Sequence, residues 1–171
     1  MHRQYRYVGG SDILKSIPKQ SGRVKVESAA AILHWIQSTD QPKEHDGTVV
    51  ATFIIALDDW MWINDRRSEH VLCAAGQDVL SAGEITFELD KNNIEVVAIT
   101  NQSTGYCPEP ASWWAVEQAL DRAKIEHPGE LTTAYLFRRC ENCGMKNIVK
   151  DEWFYCGVCD EPLSQTWNFD K

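Results

Sequence analysis

The chain has 171 residues, 43% of them hydrophobic and 25% charged, which suffices for one globular core, or for one domain with a small appendage. Its formal net charge of −8 is concentrated in residues 48–137, where five basic residues stand against fourteen acidic ones. This negative charge repels phosphate backbones and therefore disfavours a large nucleic-acid interface. No apolar run approaches the roughly 20 residues that span a bilayer.

The N-terminal segment MHRQYRYVGG is charged and lacks the apolar stretch of a secretory signal. We therefore expect a cytoplasmic location. In that reducing compartment, paired cysteines bind metals or serve catalysis more often than they form disulfides.

The first half of the chain predicts three or four strands and one helix. QYRYVGGSDI indicates a short strand ending at a Gly-Gly turn, and GRVKV indicates another. Ser28 then caps a helix over AAAILHWIQS, which has an apolar face. TVVATFIIAL is β-branched and almost continuously apolar, which is typical of a central strand buried on both faces, and DDWMWIND predicts the second strand of its hairpin.

The second half predicts two more strands and a second helix. VLSAGEITFELDKNNIEVVAITNQS indicates two strands joined by a turn at residues 90–93. Pro110 and Ser112 open a helix over SWWAVEQALDRAKI, which we expect to end at His127-Pro128-Gly129. LTTAYLF then predicts a strand that leads into a cysteine-rich tail.

That tail contains four of the six cysteines, arranged as two Cys-x-x-Cys pairs with twelve residues between them: Cys140, Cys143, Cys156 and Cys159. Four thiolates at this spacing can surround one tetrahedral ion, which suits Zn²⁺. Gly144 and Asp160 follow the two pairs at equivalent places, where a left-handed backbone is needed to turn the chain. Because four thiolates leave no position for water or substrate, we predict a structural rather than a catalytic metal.

Three alternatives to zinc remain open at this point: a four-sulfur iron centre, a thioredoxin-like redox pair, and two disulfides. The short gap, the two pairs around a predicted hairpin in NIVKDEWFYC, and the expected reducing compartment favour zinc over each of them. We also expect the tail's aromatic residues to pack it onto the main domain, with an exposed aromatic patch as the alternative: Trp153, Phe154, Tyr155, Trp167 and Phe169.

The tail resembles a zinc ribbon over about residues 135–169. The predicted fold is thus α+β: residues 1–134 form a mostly antiparallel β-sheet domain with two helices, and residues 135–171 form a zinc ribbon packed on it.

A set of residues spread over about forty positions stands out in the middle of the chain: His70, Gly76, Val79, Ala82, Gly83, Glu84, Ser103, Tyr106 and Pro108. On these residues the segment resembles a module of plant IQ-motif calmodulin-binding proteins and bacterial polymorphic-toxin tails. Val71 and Leu72 replace two serines of that module, and Gly105 replaces its histidine. The resemblance implies a bacterial domain identity without an activity, and no basic IQ helix is present to imply calmodulin binding.

Six polar or reactive residues lie near the predicted strand ends. One of them, Cys73, is interpreted as a small buried hydrophobic residue. The other five could form a catalytic pocket: His70, Glu84, Ser103, Tyr106 and Cys107. A thiol, an imidazole and an orienting carboxylate are the groups that a nucleophilic hydrolase or transferase uses. The substrate expected for such an enzyme here is a nucleotide or a modified protein. The competing interpretation is structural, with His70 bonded to a backbone carbonyl and Glu84 holding a turn.

Three functions compete on this basis. The favoured one is a cytoplasmic adaptor with a structural zinc and a protein partner, because common catalytic and phosphate-binding motifs are absent from the sequence. The second is the enzyme with the pocket just described. The third is weak nucleic-acid binding through a basic edge of the ribbon: Arg138, Arg139, Lys146 and Lys150.

Overall fold

The protein is an α+β fold, as predicted, and its computed structural model describes residues 2–19 and 22–170. Seven strands are present among these residues: β1 Val24–Lys25, β2 Val49–Ala56, β3 Met61–Asp65, β4 Val79–Asp90, β5 Asn93–Ile99, β6 Leu136–Arg139 and β7 Lys146–Val149. Four helices accompany them: α1 Ser11–Lys15, α2 Ala29–Ser38, α3 His70–Cys73 and α4 Trp113–Arg122. A 3₁₀ turn, Pro110–Ser112, leads into α4.

The main sheet is antiparallel throughout, in the order β1-β3-β2-β4-β5. Strand β2 lies at its centre, and its side chains alternate between the two faces. Phe53 and Ile55 belong to the cluster that includes residues of α2 and α4, whereas Ile54 belongs to the cluster on the opposite face, which includes Tyr106 and Phe169. The prediction that this strand is buried on both faces is therefore confirmed.

Both long helices form where the sequence predicts them. The backbone N–H of Ala31 donates to Ser28 Oγ at 3.3 Å, which confirms the N-terminal cap of α2. Helix α4 ends at Arg122, earlier than predicted, because Lys124 adopts a left-handed backbone with φ of 57°. The break at His127 is consequently not what stops the helix.

Two local predictions are wrong. The N-terminal segment forms only an isolated bridge between Tyr5 and Val79, and Ser11–Lys15 is helical. The segment NIVKDEWFYC is not a hairpin, since β7 pairs with β6, from Leu136↔Val149 to Arg139↔Lys146. The chain after β7 turns at Asp151 and Glu152 and then makes a single bridge, between Tyr155 and Pro162.

The tail's aromatic residues divide into two groups. Trp167 and Phe169 are buried in the cluster that covers one face of the main sheet, as expected. Phe154 packs in the small core of the ribbon. Trp153 and Tyr155 are exposed, so the alternative of an exposed aromatic patch holds for these two. The boundary between residues 1–134 and 135–171 stays a prediction.

No helix formed by the described residues combines the length and the apolar character needed to cross a bilayer.

Candidate metal centre

The four paired cysteines lie on two turns of similar geometry. In the first, between β6 and β7, Cys140 N–H donates to Met145 O at 2.8 Å and Gly144 N–H donates to Cys140 O at 2.9 Å. In the second, Cys156 N–H donates to Glu161 O at 2.8 Å and Asp160 N–H donates to Cys156 O at 3.0 Å.

A left-handed residue closes each turn, as the sequence predicts. Gly144 has a φ of 76° and Asp160 a φ of 59°. The turns fold back on themselves, so each pair of thiols points to the same side.

The four sulfur atoms lie within 4.8 Å of one another, and all four cysteines are free of disulfides. Cys140 Sγ is 3.5 Å from Cys159 Sγ, and Cys143 Sγ is 3.6 Å from Cys156 Sγ. Sulfurs about 2.3 Å from a tetrahedral ion are separated by about 3.8 Å. The cluster is therefore close to the size that a single metal ion requires, and it can hold one.

Hydrogen bonds directed at two of the sulfurs, those of Cys156 and Cys159, favour thiolates, the form that binds metals. The backbone N–H groups of Cys159 and Val158 lower the pKa of Cys156 to about 6. The pKa of Cys159 is lowered by the backbone N–H of Glu161 and by the Asn142 side chain.

The thiol of Cys143 differs from these two. At Cys143 the Met145 backbone N–H lowers the pKa, but burial and the neighbouring cysteine thiols outweigh it and raise the pKa to about 12.

Asn147 is a supporting residue that the sequence did not reveal. Its Nδ2 donates to Cys156 Sγ at 3.5 Å, and its Oδ1 accepts from Gly157 N–H at 3.0 Å. It therefore links strand β7 to the second cysteine turn. An Asn in a predicted strand carries no signal of this role, because the partners are distant in sequence.

His70, the first predicted pocket residue, lies at the start of α3 and is partly buried, with its ring bonded to backbone. Its Nε2 is 2.9 Å from Gly83 O, so this nitrogen carries the proton. Burial lowers the pKa of His70 and keeps the ring neutral. The hydrogen bond to Gly83 O matches the structural alternative given for His70. Glycine is required at position 83 for a separate reason, since a Cβ there would lie 1.9 Å from Thr100 O.

Ser103, Tyr106 and Cys107 come together in one buried turn after β5. Tyr106 O–H donates to Gln77 O at 2.7 Å, and Ser103 Oγ accepts from Tyr106 N–H at 3.3 Å. Cys107 Sγ contacts Thr104 O at 3.5 Å, and burial raises the pKa of this thiol to about 12. At neutral pH the thiol is protonated and is a poor nucleophile.

Glu84 lies within β4, opposite Thr52, and its backbone bonds to Thr100. Within the described part of the chain, no hydrogen bond joins the side chain of His70 or Glu84 to Ser103, Tyr106 or Cys107. A surface cavity of about 760 Å³ lies elsewhere, beside Tyr5, Glu109 and Asp170.

Three of the four residues of the predicted basic edge are engaged inside the protein. Arg138 is buried and donates to Glu109 Oε1 at 2.8 Å. Lys146 Nζ donates to Thr104 O at 2.8 Å, and the Arg139 guanidinium lies 5.2 Å from the Phe169 ring. Lys150 is exposed.

Fold and site together define an α+β protein with a C-terminal cluster of four cysteines that could hold a metal ion. Comparisons of this chain with protein-family models, with curated sequences and with solved structures find no match. The resemblance of residues 70–108 to the plant and toxin-tail module stays a prediction.

Proposed function

We propose that the four cysteines bind one structural Zn²⁺ and that the protein is a cytoplasmic protein-recognition module. The observation that carries the first part is the cluster of four free thiols, whose sulfurs lie within 4.8 Å of one another. With four thiolates around it, Zn²⁺ has no open position for substrate, so its role is to hold the chain.

The ribbon needs such a support because its own core is small. Four buried residues form it, with three partly buried neighbours: Cys140, Val149, Cys156 and Leu163, then Leu136, Phe154 and Cys159. A core of this size supplies little hydrophobic stabilisation, whereas structural zinc contributes on the order of 10 kcal/mol in isolated zinc fingers. Metal binding would therefore decide whether the segment from Lys146 to Leu163 is ordered.

Protein recognition is supported by what the ribbon exposes. Large hydrophobic side chains on it are open to solvent, Trp153 most of all at 68% exposure. Tryptophan and tyrosine are enriched at protein interfaces, where they contribute large contact areas.

The two other functions have less support. The enzyme hypothesis rests on His70, Glu84, Ser103, Tyr106 and Cys107, and no catalytic contact among the described residues favours it over structural roles. For nucleic-acid binding through the ribbon, Lys150 is the main basic residue of the predicted edge that stays exposed, and the protein as a whole is acidic.

Elemental analysis of the purified protein tests the metal proposal. We expect about one zinc per chain, and loss of zinc in Cys156→Ser with rapid proteolysis within residues 146–163. Cys107→Ser is the matched control, because its thiol lies outside the cluster, and it should keep its zinc. A metal-free protein with a protease-resistant tail would contradict the proposal, and iron in place of zinc would contradict the identity of the metal.

A further inference from the structure

Trp153 and Tyr155 form an exposed aromatic pair on the ribbon. Their ring centroids are 4.8 Å apart and the ring planes meet at 41°. The intervening Phe154 packs inward, so the extended chain places its two neighbours on the opposite, solvent side. At 68% and 45% exposure, both rings have free faces.

The pair lines a cavity of about 380 Å³ together with charged side chains. Two acidic residues, Asp151 and Asp160, and one basic residue, Lys150, are among its lining residues. Over residues 150–161, one lysine stands against four acidic residues. Four thiolates carry more negative charge than one divalent ion neutralises, so a metal-loaded centre would add negative charge beside this cavity. The surface therefore attracts cations.

Three tryptophans elsewhere in this chain already have arginine or lysine side chains over their rings. Arg23 lies 4.0 Å from the Trp62 ring, Lys25 and Arg122 lie 4.1 and 4.8 Å from Trp60, and Arg3 lies 4.4 Å from Trp167. Trp113 and Trp114 contact His127 and His2. Trp35 is in the core. Among the described residues, no arginine or lysine covers Trp153 or Tyr155.

We propose that this surface binds an arginine side chain from a basic segment of a partner protein. The guanidinium would lie against the rings of Trp153 and Tyr155, and its N–H groups would donate to Asp151 and Asp160. Arginine fits better than lysine, because its planar group both stacks on aromatic faces and bonds carboxylates in pairs. The inference rests on the proposed function, since the metal-bound turns hold the two aromatic residues in place.

NMR titration of the zinc-loaded protein tests this. The probe is an acetylated Gly-Arg-Gly-Arg-Gly amide, and the control peptide has citrulline, which has nearly the same shape and no charge, in place of each arginine. We expect the arginine peptide to shift the Trp153 indole N–H signal, with a Kd on the order of 1 mM that weakens with salt. The citrulline peptide should bind at least threefold more weakly.

Variants locate the site. Trp153→Ala should abolish the shift of the neighbouring backbone signals, and Asp151→Asn combined with Asp160→Asn should weaken binding at least threefold. Lys150→Gln should strengthen it, because it removes the one cation that lines the cavity. Trp60→Phe is the matched control, as its ring is already covered, and should leave the affinity unchanged.

The outcomes separate this inference from the proposed function. A zinc-loaded, folded protein that shows no Trp153 shift would overturn the arginine site alone. Equal affinity for the citrulline peptide would also overturn the arginine site. So would a Trp153 shift that depends on protein concentration without any peptide, because it would show that a second copy of the chain binds this surface. Absence of bound metal would instead remove the proposed function.

Discussion

The two cysteines outside the four-cysteine cluster are buried, and each contacts a backbone carbonyl. Cys73 Sγ contacts Trp62 O at 3.4 Å, and Cys107 Sγ contacts Thr104 O at 3.5 Å. Desolvation raises the pKa of both thiols to about 12. A group that is buried, neutral and bonded in this way stabilises the fold and is not poised for catalysis.

Thiol alkylation measures this state directly. At about pH 8 an unperturbed thiol is partly ionised, whereas a raised pKa keeps the thiol protonated, so its reactive fraction falls. In the zinc-loaded protein we expect iodoacetamide to modify Cys73 and Cys107 at least 1,000-fold more slowly than in urea, as read by mass spectrometry. Labelling of Cys107 at the unfolded rate would instead revive the nucleophile hypothesis.

At the scale of elements, Asn101 joins three segments at the end of β5. Its Nδ2 donates to Pro108 O and Tyr135 O, both at 2.8 Å, and its Oδ1 accepts from Tyr135 N–H at 2.7 Å. The side chain is fully buried. It thereby holds the turn that contains Tyr106 against the strand leading into the ribbon.

Asn101→Asp tests this junction. A carboxylate cannot donate to the two carbonyls and would repel them, so we expect a loss of about 3 kcal/mol or more in unfolding free energy, measured by urea denaturation. Asn92→Asp makes the same chemical change at an exposed turn position and should change stability by less than about 0.5 kcal/mol. Equal effects of the two substitutions would show that the Asn101 bonds contribute little.

Across the whole molecule, polar contacts supplement the apolar packing between the ribbon and the main sheet. Arg138 of β6 pairs with Glu109, just before the 3₁₀ turn, and its Nη2 donates to Gln165 O at 3.2 Å. Trp167 Nε1 donates to Cys107 O at 2.7 Å. The contacts with Glu109 and Cys107 connect residues 135–170 to the segment between β5 and α4.

Glu109→Gln should weaken that connection strongly. The substitution leaves the buried Arg138 charge without its carboxylate, and we expect a loss of about 2–4 kcal/mol in unfolding free energy. Glu44→Gln breaks the ion pair with Arg66, whose side chains are both well exposed, and should cost less than about 1 kcal/mol. If the two variants unfold at the same urea concentration, the buried pair does not secure the ribbon.

The sequence by itself determined those features that depend on neighbouring residues. Helix α2 and its Ser28 cap, the doubly buried β2, the turn between β4 and β5, and the clustering of the four cysteines all follow from local periodicity, capping or spacing. Their stabilising contacts lie within a few residues, or repeat regularly along one element.

Only the tertiary structure decided the features that depend on distant partners. From the sequence, strand β7 could pair with the chain before it or with the chain after it. In the structure it pairs with β6, to which the first cysteine turn connects it. The burial of Trp167 and the exposure of Trp153 were likewise set by which surface lay opposite each ring. Composition predicts only that aromatic residues tend to be buried. Which of them are covered depends on the apolar surface that forms when the main sheet assembles.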